Sequence, residues 1–123
     1  MVNGRKKGHS FELAVAERFR DAGFPDCVTS RSESKRMDDL GVDLMYTNPW
    51  LVQCKAVERL GSVHDVLARM PNNGLRVVFH KKNRKGVTVT MTETDFWRIV
   101  ESVSGKMSPY EKEADREGLP TGG

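Results

Sequence analysis

Asp43 lies inside a short apolar segment, Gly41-Val42-Asp43-Leu44, and Gln53-Cys54-Lys55 lies inside the next. Strands of a small domain seldom turn such groups inward, because an unpaired buried charge costs several kcal/mol or more. An acid, an amide and a lysine that converge can offset that cost with a divalent cation and a phosphate. Phosphodiester hydrolysis needs a nucleophilic water and charge neutralised on the phosphate, and a divalent ion serves both ends. Magnesium takes hard oxygen donors and keeps several of its waters; Mn2+ can substitute for it. Asp43 offers a carboxylate, Gln53 a neutral amide oxygen, and the Cys54 backbone carbonyl lies between the two side chains. Glu12 is the candidate second carboxylate, with Glu58 a weaker one. Lys55 is placed to orient the attacking water or to stabilise the transition state.

These residues need elements to hold them. Ser10 reads as a helix N-cap, and residues 11–22 follow helical spacing. Phe11, Ala14, Val15, Phe19 and Ala22 share one arc, and Glu12 falls beside Phe19, inside that arc or at its rim. Gly23 reads as the C-terminal cap. Cys27 to Arg31 is extended, and Ser32 to Leu40 is a polar loop. Val42 to Tyr46 and Trp50 to Lys55 read as the two arms of a hairpin. Side chains on a strand alternate faces, and opposed residues of a hairpin share one. A three-residue loop, Thr47-Asn48-Pro49, then sets Asp43 opposite Gln53; a two-residue loop would split the group. The odd loop, or an equivalent bulge, is the expectation, and with it one sheet face carrying Asp43, Gln53, Lys55 and Glu12.

Ser62 caps a helix at 63–70 with Val63, Val66, Leu67 and Met70 inward. Pro71-Asn72-Asn73-Gly74 is a turn. Leu75 to His80 is a central strand, Lys81 to Gly86 a basic turn, and Val87 to Met91 an alternating strand. Thr92 and Asp95 resemble a capping box, opening a helix with Phe96, Trp97, Val100 and Val103 inward. The order is α-β-β-β-α-β-β-α, an α/β (α+β) fold with a central mixed sheet flanked by helices. Residues 1–104 are expected to be one domain and 105–123 a flexible C-terminal tail.

The chain has 123 residues, 37% of them hydrophobic, which suits one globular domain. No apolar run reaches the roughly 18–20 residues of a membrane span, and the basic start lacks the apolar segment of a secretory signal. The two cysteines form no Cys-x-x-Cys, which argues against zinc and for a cytoplasmic, reducing setting. Net charge is +3. Residues 101–123 hold five acids against three bases, so the body carries +5. Its bases cluster at Arg5-Lys6-Lys7, at Arg31 with Lys35-Arg36, and at Lys81, Lys82, Arg84 and Lys85. One such cluster is as readily a solvated surface; three on one small domain favour a nucleic acid. Arg31, Lys35 and Arg36 suit bidentate phosphate contacts, and His9 is a further phosphate candidate. Asp38-Asp39 read first as solvated loop acids beside Lys35-Arg36, with a minority reading in which one of them approaches the metal. Trp50, Phe96 and Trp97 read as core, and His64 and His80 as surface or core polar groups.

Taken singly, each site residue has a plain structural reading. Asp43 could end a strand or pair with Lys55, Gln53 could line an edge, and Glu12 could lie at a helix rim. Together, Asp43 followed by Gln53-Cys54-Lys55 resembles the Asp…(Glu/Gln)-x-Lys signature of the PD-(D/E)xK nuclease superfamily. Glu12, in Gly8-His9-Ser10-Phe11-Glu12, resembles the first-helix glutamate of its Holliday junction resolvase branch, of archaeal and phage type. The resemblance covers residues 5–100 in element order. It implies a restriction-endonuclease-like core, magnesium-dependent cleavage of DNA at four-way junctions, and a homodimer; the compact format would suit a phage gene. Gln53 stands where the family usually has Glu, so one negative charge is missing. Two alternatives follow: a nuclease of the same fold acting on linear or flap DNA, and a non-catalytic DNA-binding module with a decayed site.

Overall fold

The computed structural model describes residues 4–105. The elements are α1 (Gly4–Asp21), β1 (Val28–Thr29), α2 (Ser30–Glu33), α3 (Lys35–Asp39), β2 (Leu44–Met45) and β3 (Trp50–Ala56), followed by α4 (Val63–Arg69), β4 (Leu75–Lys82), β5 (Gly86–Met91) and α5 (Glu93–Val103). They fall into two compact units divided between Met91 and Thr92.

The first unit is built on a mixed three-stranded sheet, ordered β3-β4-β5. β3 and β4 run parallel, with Trp50 beside Leu75 and Lys55 beside His80. Parallel neighbours need a crossover, and α4 supplies it. β4 and β5 form an antiparallel hairpin in which Val77 faces Met91 and Lys82 faces Gly86. β4 is therefore central, as its apolar run predicts. Helices cover both faces. Val52, Cys54 and Val77 pack with Phe11, Val15 and Ala16 of α1. On the other face, Val78 and Leu51 pack with Val63, Val66, Leu67 and Met70 of α4.

Several sequence expectations need correction. α1 begins two turns before Ser10, which sits exposed inside the helix. Apolar periodicity is silent over Arg5-Lys6-Lys7, although Arg and Lys are good helix formers. The buried stripe is Phe11, Glu12, Val15 and Ala16, with Ala14 and Ala22 exposed. The C-terminus follows the sequence: Gly23 is at φ 119°, and Phe24 N–H bonds the Phe19 carbonyl at 3.0 Å. Phe24 also meets the Phe19 ring edge-on, completing a Schellman cap. The polar stretch 30–39 is two short helices rather than strand end and loop. Each is too short to show a period.

The hairpin also differs. β2 pairs with β1 in a separate two-stranded sheet, so the five strands do not form one sheet. The turn before β3 closes between Thr47 and Trp50. Trp50 N–H donates to the Thr47 carbonyl at 2.7 Å and Thr47 Oγ1 donates to the Trp50 carbonyl at 2.8 Å. This leaves two residues, Asn48-Pro49, at the tip rather than three.

The second unit's described part is α5 with its cap. Thr92 Oγ1 accepts from Asp95 N–H at 3.2 Å, as the capping pattern predicts. Phe96, Trp97, Val100 and Val103 are exposed rather than inward. Their helical spacing is as predicted, but no other element of that unit lies among the described residues to cover them. Trp97 Nε1 donates to Glu93, and its ring packs edge-on to Phe96. The expected tail lies outside the described residues, apart from Gly105. Among the described residues no helix is long and apolar enough to cross a membrane.

Two glycines bracket the packing tolerance of the first unit. A Cβ on Gly74 would meet the Pro49 carbonyl oxygen at 2.6 Å, where Leu75 N–H bonds that same carbonyl to start the parallel ladder. A Cβ on Gly8, inside α1, meets nothing within 4 Å. Gly74→Ala is expected to destabilise the fold by about 1–3 kcal/mol, and Gly8→Ala to stabilise it by about 0.5–1 kcal/mol. Thermal unfolding midpoints of the two variants should move in opposite directions.

Candidate functional site

Asp43 is the node of the site. It precedes β2, outside any regular ladder, and its backbone ties two neighbours together. Its N–H donates to the Val52 carbonyl at 2.7 Å, and its carbonyl accepts from Ser30 N–H at 2.7 Å. Its side chain turns to the same edge of β3: Asp43 Oδ2 accepts from Cys54 N–H at 2.7 Å. That edge is the one β4 does not cover. A residue's N–H and C=O share one edge of a strand, so the Cys54 carbonyl also faces this side.

The expectation of a single sheet face is therefore corrected. Val52 and Cys54 point to the α1 face. Gln53 and Lys55 share the opposite face with Leu51, while Glu12 comes from α1. The group is assembled from both sides of β3 at its outer edge, with Asp43 reaching it laterally.

Gln53 is half-buried, and its Oε1 is buried with no hydrogen-bond partner. Its amide lies against Gly41, where a Cβ would stand 3.4–3.5 Å away, and Gly41 is held at φ 80°. A satisfied structural glutamine would bond that oxygen, since buried polar atoms are almost always partnered. An oxygen donor left open suits a hard cation. Among the described residues, no three His, Cys, Asp or Glu side chains converge to hold a metal unaided. A site here would have to combine Asp43 with the Gln53 amide oxygen and the Cys54 carbonyl. The chemistry of these donors fits magnesium.

Electrostatics mark the same residue. Burial pushes the Asp43 carboxyl up to about 7, helped by Glu12 and Asp38 and opposed by the Cys54 hydrogen bond and Lys55. Glu12 is only 5% exposed. It is held by Arg31 through two bonds of 2.8 Å, Nε to Oε1 and Nη2 to Oε2. His9 Nδ1 stands 3.9 Å from Glu12 Oε1. Burial pushes the thiols of Cys27 and Cys54 up, Cys54 strongly, so both remain protonated at neutral pH. Neither is an activated nucleophile.

The other predicted residues are placed as follows. Arg31 is at the surface but turns its guanidinium onto Glu12. Lys35 pairs with Asp39 at the surface, at 2.9 Å, beside the exposed Arg36. Arg5 and Lys6 are exposed on the first turn of α1, and Lys7 Nζ donates to Asn83 Oδ1 at 2.7 Å. This contact joins the α1 basic cluster to the exposed Lys81, Lys82, Arg84 and Lys85, two clusters that are far apart in sequence. Glu58 accepts from Asn83 N–H at 2.9 Å, which ties it to the β4–β5 turn rather than to Asp43. Asp38, favoured as a solvated acid over the minority reading that brings it to the site, lies within electrostatic reach of Asp43 and Arg31. The five-residue α3 that carries it has no apolar pattern to announce it. An apolar cavity of about 390 Å3, lined by Phe19, Phe24, Trp50, Phe79 and Met91, contains none of these residues.

Compared with protein-family models, with curated proteins and with solved structures, the chain matches none.

The raised Asp43 pKa has a consequence for stability. The unfolded chain releases this proton above about pH 3.8, whereas the folded chain keeps it to about pH 7. Asp43 is thus neutral to stability at low pH, increasingly unfavourable as pH rises, and fully so above pH 7. Asp43→Asn keeps an oxygen for the Cys54 N–H and removes the charge. In metal-free buffer the variant should be more stable than the parent above pH 7, by on the order of 3 kcal/mol. The gap should close toward pH 4, as read from unfolding midpoints across the pH range.

Proposed function

We propose that this chain is a metal-dependent, structure-selective DNA endonuclease with a restriction-endonuclease-like core, acting on four-way junctions as a homodimer. The carrying observation is the β3 edge. There Asp43 grips the Cys54 backbone beside a buried, unpartnered Gln53 oxygen, with Lys55 next in the strand. Asp43, Gln53 Oε1 and the Cys54 carbonyl would hold magnesium, and Glu12 is near enough to shape the charge there. When bound, the ion would neutralise charge at the scissile phosphate and make a water nucleophilic.

The protein's own groups supply the rest. Asp43 must give up its proton to act as a ligand, which its nearly neutral pKa allows. Lys55 lies within electrostatic reach of Asp43 and would place its ammonium on the attacking water or the developing oxyanion. The joined basic surface of Lys7, Lys81, Lys82, Arg84 and Lys85 would hold the duplex by its phosphates, without reading sequence.

One observation favours a second reading. Gln53 carries no charge, and Asp43 keeps much of its proton at neutral pH, so the site is less anionic than two carboxylates would make it. A DNA-binding module with a decayed site would show salt-sensitive binding and no magnesium-dependent cutting. A nuclease preferring linear or flap DNA would cut those substrates faster than junctions.

A junction-cleavage assay with and without magnesium separates these readings. Cutting should require the metal and give paired, symmetric nicks. Asp43→Asn and Lys55→Ala should each lower the rate by about a hundredfold or more, with junction affinity nearly unchanged. Full cutting by either variant would sink the assignment.

A further inference from the structure

Arg31 occupies an unusual place. Its guanidinium clamps the buried Glu12 with two 2.8 Å bonds and lies within electrostatic reach of Asp38 and Asp43 as well. Its single positive charge therefore faces three carboxylates, while Lys55 is a second cation within electrostatic reach of Asp43. The backbone fixes this position: Ser30 N–H bonds the Asp43 carbonyl at 2.7 Å, so Arg31 leaves the chain next to Asp43. The Arg31 side chain is still 35% exposed, against 7% for Glu12. It has a route to solvent that its partner lacks.

We infer that Arg31 is an exchangeable internal cation, which holds the acidic site closed until a phosphate takes the guanidinium and a divalent ion takes Glu12. This deepens, and rests on, the reading of the site as a metal-dependent nuclease centre. The physical argument is charge balance. A divalent ion entering beside an unmoved guanidinium is repelled by it and finds both Glu12 oxygens engaged. Arg31 leaving without a phosphate strands a buried carboxylate, which is costly. A DNA phosphate offers the guanidinium an equally good bidentate partner. Once Arg31 moves, Glu12 is free to join Asp43. Metal and DNA then favour each other's binding, and the coupling must be reciprocal.

Calorimetric titration of Mn2+ tests this, in the Lys55→Ala background so that DNA stays uncut. With free protein, adding Arg31→Gln should tighten Mn2+ binding by about tenfold, because the competing charge is gone and Glu12 is released. Four-way junction DNA should tighten Mn2+ binding to the Arg31 parent by a similar factor, and should cease to do so in Arg31→Gln. Mn2+ affinity in free Arg31→Gln equal to or below the parent's, or DNA enhancement that persists, would overturn the inference. If Arg31→Gln does not fold, as judged by circular dichroism, Arg31→Lys decides. It keeps the charge but loses the two-pronged clamp, so it should bind Mn2+ more tightly than the parent. Unchanged affinity there overturns the proposal. Mn2+ binding to the parent with no Arg31 effect would sink this inference alone; no Mn2+ binding in any form would sink the nuclease reading with it.

Discussion

Three hydrogen bonds of 2.7 Å fix Asp43: its N–H to Val52, its carbonyl from Ser30 N–H, and its carboxylate from Cys54 N–H. The rest of the site depends on this residue. The first bond docks the segment before β2 onto the free edge of β3. The second brings β1 and the start of α2 alongside, and so delivers Arg31 to Glu12. The third satisfies an N–H at the edge of β3 that would otherwise be orphaned. Gln53 and Lys55 flank that N–H in the strand. A side chain that completes backbone pairing is thus also the acid at the centre of the candidate chemistry. Structural and functional demands on Asp43 cannot be separated by position, only by charge. An amide meets the structural demand; only a carboxylate meets the chemical one.

The electrostatics follow from that placement. Glu12 and Asp38 act electrostatically on Asp43 at the outer edge of β3, and Arg31 and Lys55 are the cations within reach of it. The site holds its acids in two different ways. Glu12 is clamped by Arg31 through two hydrogen bonds; Asp43 is buried and keeps its proton to about pH 7. Replacing Gln53 by an acid would add a fourth carboxyl to Glu12, Asp38 and Asp43, with no further cation to balance it in the resting protein. The neutral amide is consistent with a site that stays closed until a divalent cation arrives.

Part of this was legible in the sequence. Glu12 falls inside an apolar arc, and it is buried there. The α4 stripe, the Ser62 and Thr92 caps, the Schellman end at Gly23 and the central β4 all rest on local patterns that tertiary structure did not override. The failures share a cause, which is that the deciding contacts are not local. Strand parity assumed a regular hairpin, but Asp43 bonds β3 through one backbone group and its side chain, so face alternation does not apply to it. The Arg31–Glu12 clamp spans 19 residues and leaves no trace in periodicity. Neither does Asp38, whose helix is a single short turn. The contact of Lys7 with Asn83 joins two basic clusters that sequence could only count separately. For α5 the amphipathic spacing was right, while its exposed stripe was not foreseeable from spacing alone.

The open oxygen of Gln53 is the group whose role as a ligand decides the chemistry. A crystal of the protein soaked in Mn2+ and measured at the manganese edge gives the most direct answer. An anomalous peak is expected at the free edge of β3, about 2.0–2.3 Å from both an Asp43 carboxylate oxygen and Gln53 Oε1, with the Cys54 carbonyl facing it. A peak confined to other residues, or no peak while Gln53 Oε1 turns to a protein hydrogen bond, would contradict that role.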